Sequence, residues 1–270
     1  MQPTGDGVWN EPTARFTALL ALPEADLPLD EAAFLVAAHA HPGLNLDEWL
    51  VRLDEIAGRC VGQRTPGALA DALFVTEGFA GNTEDYSDPS NSLLDDVIDR
   101  RLGIPISLSI LMIEVGRRTG LGLHGVGMPG HFLVGADDHP DEFVDPFHAG
   151  RVLDVDGCRA VFAATAGPDA PFSPGYLAPT GPRAILVRVL NNLQRSYLER
   201  GSINAVWVAR LRLRFAELPN RERHQIATLL GSLGRFKEAA AALEALVPAL
   251  AAPDAAKVAA EAQALRAREN

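Results

Sequence analysis

The sequence predicts an α+β fold in which helices lead into a small antiparallel sheet and an all-helical region follows. Three observations carry this. Apolar residues recur at helical spacing from about Thr13 to Arg118. Three short segments between Leu123 and Asp145 are cut apart by Gly, Pro and Asp. Helical spacing then returns from residue 183 to the end. A helix face repeats every ~3.6 residues and a strand face every ~2, so the change of period marks the change of structure. With 47% hydrophobic and 22% charged residues, the 270-residue chain has enough apolar material for a core.

The elements follow in order. Residues 1–12 read as a frayed terminus. Phe16, Leu19 and Leu20 mark a first helix, and Ala32, Phe34, Leu35 and Ala38 a second, ended by His41-Pro42-Gly43. Leu46 to Cys60 is a third, with Leu50, Leu53, Ile56 and Ala57 on one face. Pro66 suits the first turn of a fourth, Ala68 to Phe79, because its missing N–H costs nothing there. Gly81 to Ser90 reads as loop, and Ser92 as the cap of a helix over Leu93–Arg101. Gly103-Ile104-Pro105 interrupts the pattern. Ile106 to Arg118 resumes it, with Leu108, Leu111, Met112 and Val115 on one face and Gly120 as the stop. Leu123–Val126, His131–Val134 and Glu142–Asp145 read as antiparallel strands, with a fourth around Val152 and Leu153. Val161 to Ala164 has no assignable period. The Pro-, Gly- and Ala-rich stretch from Gly167 to Pro182 is expected to separate two domains, 1–166 and 183–270. In the second, Leu186–Leu198, Val206–Phe215, Glu222–Leu233, Phe236–Val247 and Ala255–Arg268 are successive helices, and their short connections imply antiparallel hairpins.

Composition excludes several function classes. Lys+Arg number 24 and Asp+Glu 35, a net charge of −11, which is the wrong sign for nucleic acid or an anionic membrane surface. No apolar run reaches the ~18 residues of a membrane span, and the start lacks the basic and apolar regions of a secretory signal. The expected location is the cytoplasm. Cys60 and Cys158 form no CxxC pair and no zinc spacing, and in a reducing compartment they are expected as buried structural thiols. GxGxxG before a helix, a Walker lysine and HExxH are all absent, so no cofactor is expected. His124, His139 and His148 lie near His131, but a metal site would need several to converge. Residues 137–141 read more simply as a solvated hairpin tip, so no metal is expected.

Two stretches are more specific. Leu229 to Glu244, with small residues where two helices would touch and Pro248 beyond, resembles the middle of a tetratricopeptide repeat. Leu190 to Pro219 resembles a degenerate first copy. The other stretch contains, in order, Asn91-Ser92-Leu93-Leu94, then Arg100-Arg101-Leu102-Gly103-Ile104-Pro105-Ile106-Ser107, then Pro129-Gly130-His131-Phe132-Leu133-Val134, then Val144-Asp145-Pro146-Phe147. This series resembles the transglutaminase-like superfamily. More narrowly it resembles the bacterial SirB-type family, which joins such a core to C-terminal tetratricopeptide repeats. The likeness runs over about residues 30–250.

The resemblance implies a papain- or transglutaminase-like core whose chemistry is a Cys–His–Asp triad. In such a triad the Cys sits at a helix N-terminus, where the dipole and the His stabilise a thiolate, and the Asp orients the imidazole. Carried onto this chain, His131 is the base and Asp145 the orienter. The Cys position falls around Pro105 to Ser107, where Ser107 is the only nucleophilic side chain. Ser109 is the fallback and is expected to pack inside its helix. Asn91 either supports the site or caps a helix. Arg100 and Arg101 either bind a carboxylate or form a solvated helix end. The leading expectation is a pseudoenzyme that binds a protein or peptide partner through its C-terminal helices. The acidic balance of the chain disfavours an acidic peptide. The alternative is a Ser–His–Asp amide or ester hydrolase, or an acyltransferase, using Ser107, His131 and Asp145; a third reading makes the C-terminal helices a lid.

Overall fold

A computed structural model describes residues 10–268. The frayed start expected over 1–12 lies, up to residue 9, outside the described residues, and Asn10 already opens helix α1 (Asn10–Leu20). Helix α2 (Leu29–Ala40) is the central one of the N-terminal part. Its face from Ala32 to Ala38 is buried all round, as an almost uniformly apolar run requires. Helix α3 (Leu46–Arg59) is amphipathic instead and buries Leu46, Leu53, Ile56 and Ala57.

The fourth helix is shorter than its sequence pattern. Helix α4 (Pro66–Ala70) starts as expected, with Pro66 in the first turn and the Thr65 hydroxyl accepting the Ala68 N–H at 3.2 Å. It widens into a π turn over Asp71–Thr76 and stops before Gly78, which takes φ +76°. That exit sends Phe79 into the core and Ala80–Gly81 into a short strand, β1. Helix α5 spans Leu94–Arg100, and Ser92 does not cap it. Ser92 belongs to a preceding 3-10 turn, Pro89–Ser92, and Leu93 holds the cap position without a side-chain bond. Arg101, in the left-handed region at φ 55°, turns the chain into β2 (Leu102–Gly103), which pairs in parallel with β1.

Helix α6 (Pro105–Thr119) begins on Pro105 and ends at Gly120, φ +82°. It is buried continuously from Pro105 to Gly116 and forms the spine of this unit. A main sheet follows in the order β6-β5-β4-β3-β7, with every pairing antiparallel. Its strands are β3 (Leu123–Val126), β4 (Leu133–Ala136), β5 (His139–Asp145), β6 (Arg151–Leu153) and β7 (Pro179–Thr180). Two boundaries differ from the pattern: His131 lies in the loop ahead of β4, and β5 begins at His139, so the hairpin tip narrows to Asp137 and Asp138 and the rest of the polar run belongs to an interior strand. The unassigned stretch around Val161 is helix α7 (Val155–Ala166), capped by Asp154, whose carboxylate accepts the Gly157 N–H at 2.8 Å. It packs Cys158, Val161 and Phe162 against Val126, Met128, Leu133 and Phe143.

The stretch 167–182 is not a bare linker. It carries a 3-10 turn, Pro174–Leu177, and the edge strand β7, which pairs with Gly125 and Val126. The chain divides into two compact units after Asn192, within α8 (Pro182–Glu199). The second unit continues with α9 (Ala205–Arg212), α10 (Asn220–Ser232), α11 (Phe236–Glu244) and α12 (Ala252–Ala267). Its core is made of Ala227, Ala240, Leu243, Leu246, Val258 and Ala262. Small residues let α10, α11 and α12 approach closely: a Cβ on Gly231 would sit 3.2 Å from Leu265. Among the described residues no helix is long and apolar enough to cross a membrane.

Candidate functional site

The start of α6 is tied to the loop before it. Ser107 Oγ accepts the Ile104 N–H at 3.0 Å and donates to the Asn91 carbonyl at 2.5 Å. It is 1% exposed. Asn91 is fully buried and caps no helix. Its amide donates to the Asp85 carbonyl at 2.7 Å and its Oδ1 accepts from Asn82 at 3.0 Å. Asn91 therefore staples the loop 82–86 and, through its own carbonyl, the start of α6. Ser109 is inside the helix, donating to the Pro105 carbonyl at 2.7 Å.

His131 is presented by the loop between β3 and β4. Gly130, φ +75°, makes the turn, and a Cβ there would strike the Thr165 side chain. Arg188 holds the loop from outside, donating to the carbonyls of Met128 and His131 at 3.1 and 2.9 Å, with its guanidinium 5.0 Å over Phe132. Asp145 ends β5 and is fully buried. His131 Nε2 meets Asp145 Oδ1 at 3.0 Å, and His148 Nδ1 meets the other oxygen at 2.8 Å. The two imidazoles lie 5.6 Å apart, centroid to centroid. Burial pushes the Asp145 carboxyl up, but the hydrogen bonds and charges of His131 and His148 outweigh it and hold the group below its usual 3.8.

His131 and Asp145 are thus brought together, and His148 joins them. Ser107 is not hydrogen-bonded to His131 among the described residues; its proton goes to main chain. The thiols offer no substitute. Burial pushes Cys60 up, aided by the charge of Glu77. Burial, then Asp154 and Asp145, push Cys158 up to about 12. Neither is a thiolate near neutral pH. Arg100 pairs with Asp88 at 2.9 Å, and Arg101 bonds the Glu77 carboxylate at 3.1 Å and its carbonyl, so each is engaged by an acidic residue of its own unit. His124 pairs with Asp137 at 2.8 Å and stays away from the centre.

Residues 44–191 match the Transglutaminase-like superfamily, a span that contains every residue of this site. The chain belongs to that superfamily. A UPF0162 protein of Xylella fastidiosa is 38% identical over 191 residues, 66% of this chain and 68% of that one. A UPF0162 protein of Pseudomonas aeruginosa is 32% identical over 201 residues, 73% and 69% of the two chains. F-box only protein 21 of Mus musculus is 37% identical over 101 residues, 34% of this chain and 16% of that one. No solved structure matches. Within the matched span, His131 and Asp145 form a hydrogen-bonded pair and Ser107 stands in the first turn of α6.

His148 is the member to which the sequence pattern assigns no role. The signal was its place three residues after Asp145. That spacing brings a side chain back only if the chain turns at once, and Pro146 opens such a turn over Pro146–His148.

Proposed function

We propose that this chain is a non-catalytic, cytoplasmic member of its superfamily, of the SirB type, that binds a protein or peptide partner through tetratricopeptide-like helices in its second unit. The observation that carries the first half is the engagement of Ser107. A nucleophilic hydroxyl must hand its proton to a base and face oxyanion donors. This one hands it to a main-chain carbonyl and is itself anchored by a main-chain N–H. Freeing it would leave a buried carbonyl without its donor, a cost of ~1–3 kcal/mol before any chemistry. With both thiols held protonated, the His131–Asp145 pair has nothing to activate.

Charge supports the partner half and names its sign. The 24 Lys and Arg split 12 and 12 between residues 1–192 and 193–270, while the 35 Asp and Glu split 27 and 8. The net charges are −15 and +4. The acidic excess of the whole chain therefore belongs to the first unit, and the helical unit favours an acidic peptide, opposite to the whole-chain expectation.

The test has two arms. A serine-directed fluorophosphonate probe should leave the protein unlabelled. Labelling lost in both Ser107→Ala and His131→Ala would establish the Ser–His–Asp hydrolase or acyltransferase instead. Fluorescence anisotropy with Glu-rich and Lys-rich peptides should show binding of the Glu-rich set alone, weakening with salt. Binding of neither set, or of the Lys-rich set, removes the partner reading.

A further inference from the structure

We propose that His131, Asp145 and His148 form a binding site for a zinc-class divalent transition-metal ion. A triad that activates a nucleophile uses one imidazole on its carboxylate. Here two converge on one fully buried carboxylate, at 3.0 and 2.8 Å, and the second has no part in the superfamily's chemistry.

The spacing suits a shared ion. The candidate ligand atoms of all three residues lie within 4.8 Å of one another. Ligand bonds of ~2.0–2.2 Å place neighbouring donors of a tetrahedral ion roughly 3.3–3.6 Å apart, so each imidazole nitrogen, 3.0 or 2.8 Å from its carboxylate oxygen, has to draw back by only about half an ångström to share an ion. Two neutral imidazoles and one carboxylate make a borderline donor set that suits zinc or ferrous iron, whereas calcium and magnesium take oxygen ligands. Three protein ligands also leave coordination positions to water.

The backbone is bent to keep this arrangement. After the turn over Pro146–His148, Ala149 adopts φ 56°, a left-handed conformation that costs a residue with a Cβ ~1–2 kcal/mol. Gly150 follows at φ +70°, where a Cβ would meet Phe74 at 2.6 Å, and its N–H donates back to the Asp145 carbonyl at 3.0 Å. The His148 N–H also reaches Asp145 Oδ1, at 3.3 Å. The result is a solvent-facing histidine, its side chain 56% exposed, turned inward onto a carboxylate with no exposure. An ion has a route from the His148 side and a fixed floor beneath. Arg188 and Phe147 brace the two histidines, through the His131 carbonyl and through a ring contact at 5.3 Å to His148.

The other cluster of ligand-type residues, His41 with Asp95 and Asp96, is a poorer cation site. Both carboxylates stand in the first turn of α5, where the helix end already carries positive potential.

The experiment titrates the metal-free full chain with Co2+, reading the visible absorption of the bound ion, and with Zn2+ by calorimetry. His148→Ala, His131→Ala and His41→Ala run in parallel, with circular dichroism to confirm folding. The expected result is a single equivalent bound by the native chain and by His41→Ala, and at least a 10-fold loss of affinity in His148→Ala, the order of change that perturbing a metal's surroundings produces. His148 is half exposed, so its variant folds even if His131→Ala does not. No binding by the native chain overturns the site, as does affinity unchanged in His148→Ala or lost equally in His41→Ala.

Discussion

Single side chains set what this centre can do. Asp145 has a folded-state pKa below 3.8, so the unfolded chain binds its proton first on acidification. The stability it contributes is complete above that value and is lost as pH falls through the folded-state value. Asp145→Asn takes away one of the two buried carboxylate oxygens that the imidazoles bond and should cost ~1–3 kcal/mol at pH 7, the scale for leaving a buried polar group without its partner. Urea midpoints compared at pH 7 and pH 3 check it: the gap between native and variant should narrow at the lower pH. His39 has the same sign by a different route, because its charged form is the one that burial disfavours. Burial lowers its pKa to about 4 against the raising effect of the Leu35 carbonyl, so it stays neutral, bonded to that carbonyl at 2.7 Å and to Thr13 at 2.9 Å. Below pH 6.5 the unfolded chain takes up a proton that the folded chain refuses until about 4. Stability should therefore fall by about 3 kcal/mol between those values. His39→Gln should flatten that segment of the stability profile, and an unchanged profile would show that the histidine charges inside the fold. Ser107→Ala removes an anchor between α6 and the Asn91 loop and should cost ~1–3 kcal/mol in a thermal or urea melt.

At the scale of elements, the loops and turns carry the site and the helices hold them. Helix α6 fixes Asn91 through Ser107, and Arg188 of α8 fixes the loop that bears His131. The turn after β5 is the tightest point. Gly150→Ala would place a methyl 2.6 Å from Phe74 and 2.9 Å from Ala70 at a positive φ. The penalty of the left-handed conformation and the overpacking together come to about 2 kcal/mol or more. A lowered melting temperature is expected, together with loss of the His148 approach to Asp145, readable as a change in the His148 ring chemical shifts by NMR. A melt unchanged from the native chain would show that the turn relaxes freely.

For the whole molecule the decisive quantity is the division of charge. A unit of −15 repels itself, and salt screens that repulsion over ~8 Å at physiological strength. Raising the salt should therefore stabilise the first unit in a urea melt while weakening any acidic peptide held by the second. One titration of sodium chloride, read by both signals, should move them in opposite directions. Parallel movement would mean that the charge split does not govern binding.

Periodicity and punctuation made much of this legible in advance. The third helix, the start and stop of α6 and the full extent of β3 follow from local rules: apolar spacing, Pro in a first turn, Gly past a last one. The family likeness, carried by ordered motifs, pointed to His131 and Asp145. Local rules missed wherever a distant partner decided the outcome. The fourth helix stopped early because Phe79 is worth more in the core than in a continued helix. A Pro- and Gly-rich stretch became sheet edge because β3 had an open side. Ser107 has the composition of a nucleophile and the position of one, yet its proton goes to Asn91, sixteen residues upstream, because a buried carbonyl there needs a donor. His148 is a solvent-facing residue by its neighbours, and it turns inward because Asp145 is buried and negative. The sequence by itself determined the periods, the family and the His–Asp pair, since these depend on residues near one another in the chain or on motif order. The tertiary structure alone decided which polar atoms meet, because hydrogen bonds and ion pairs are settled by which donors and acceptors burial leaves together.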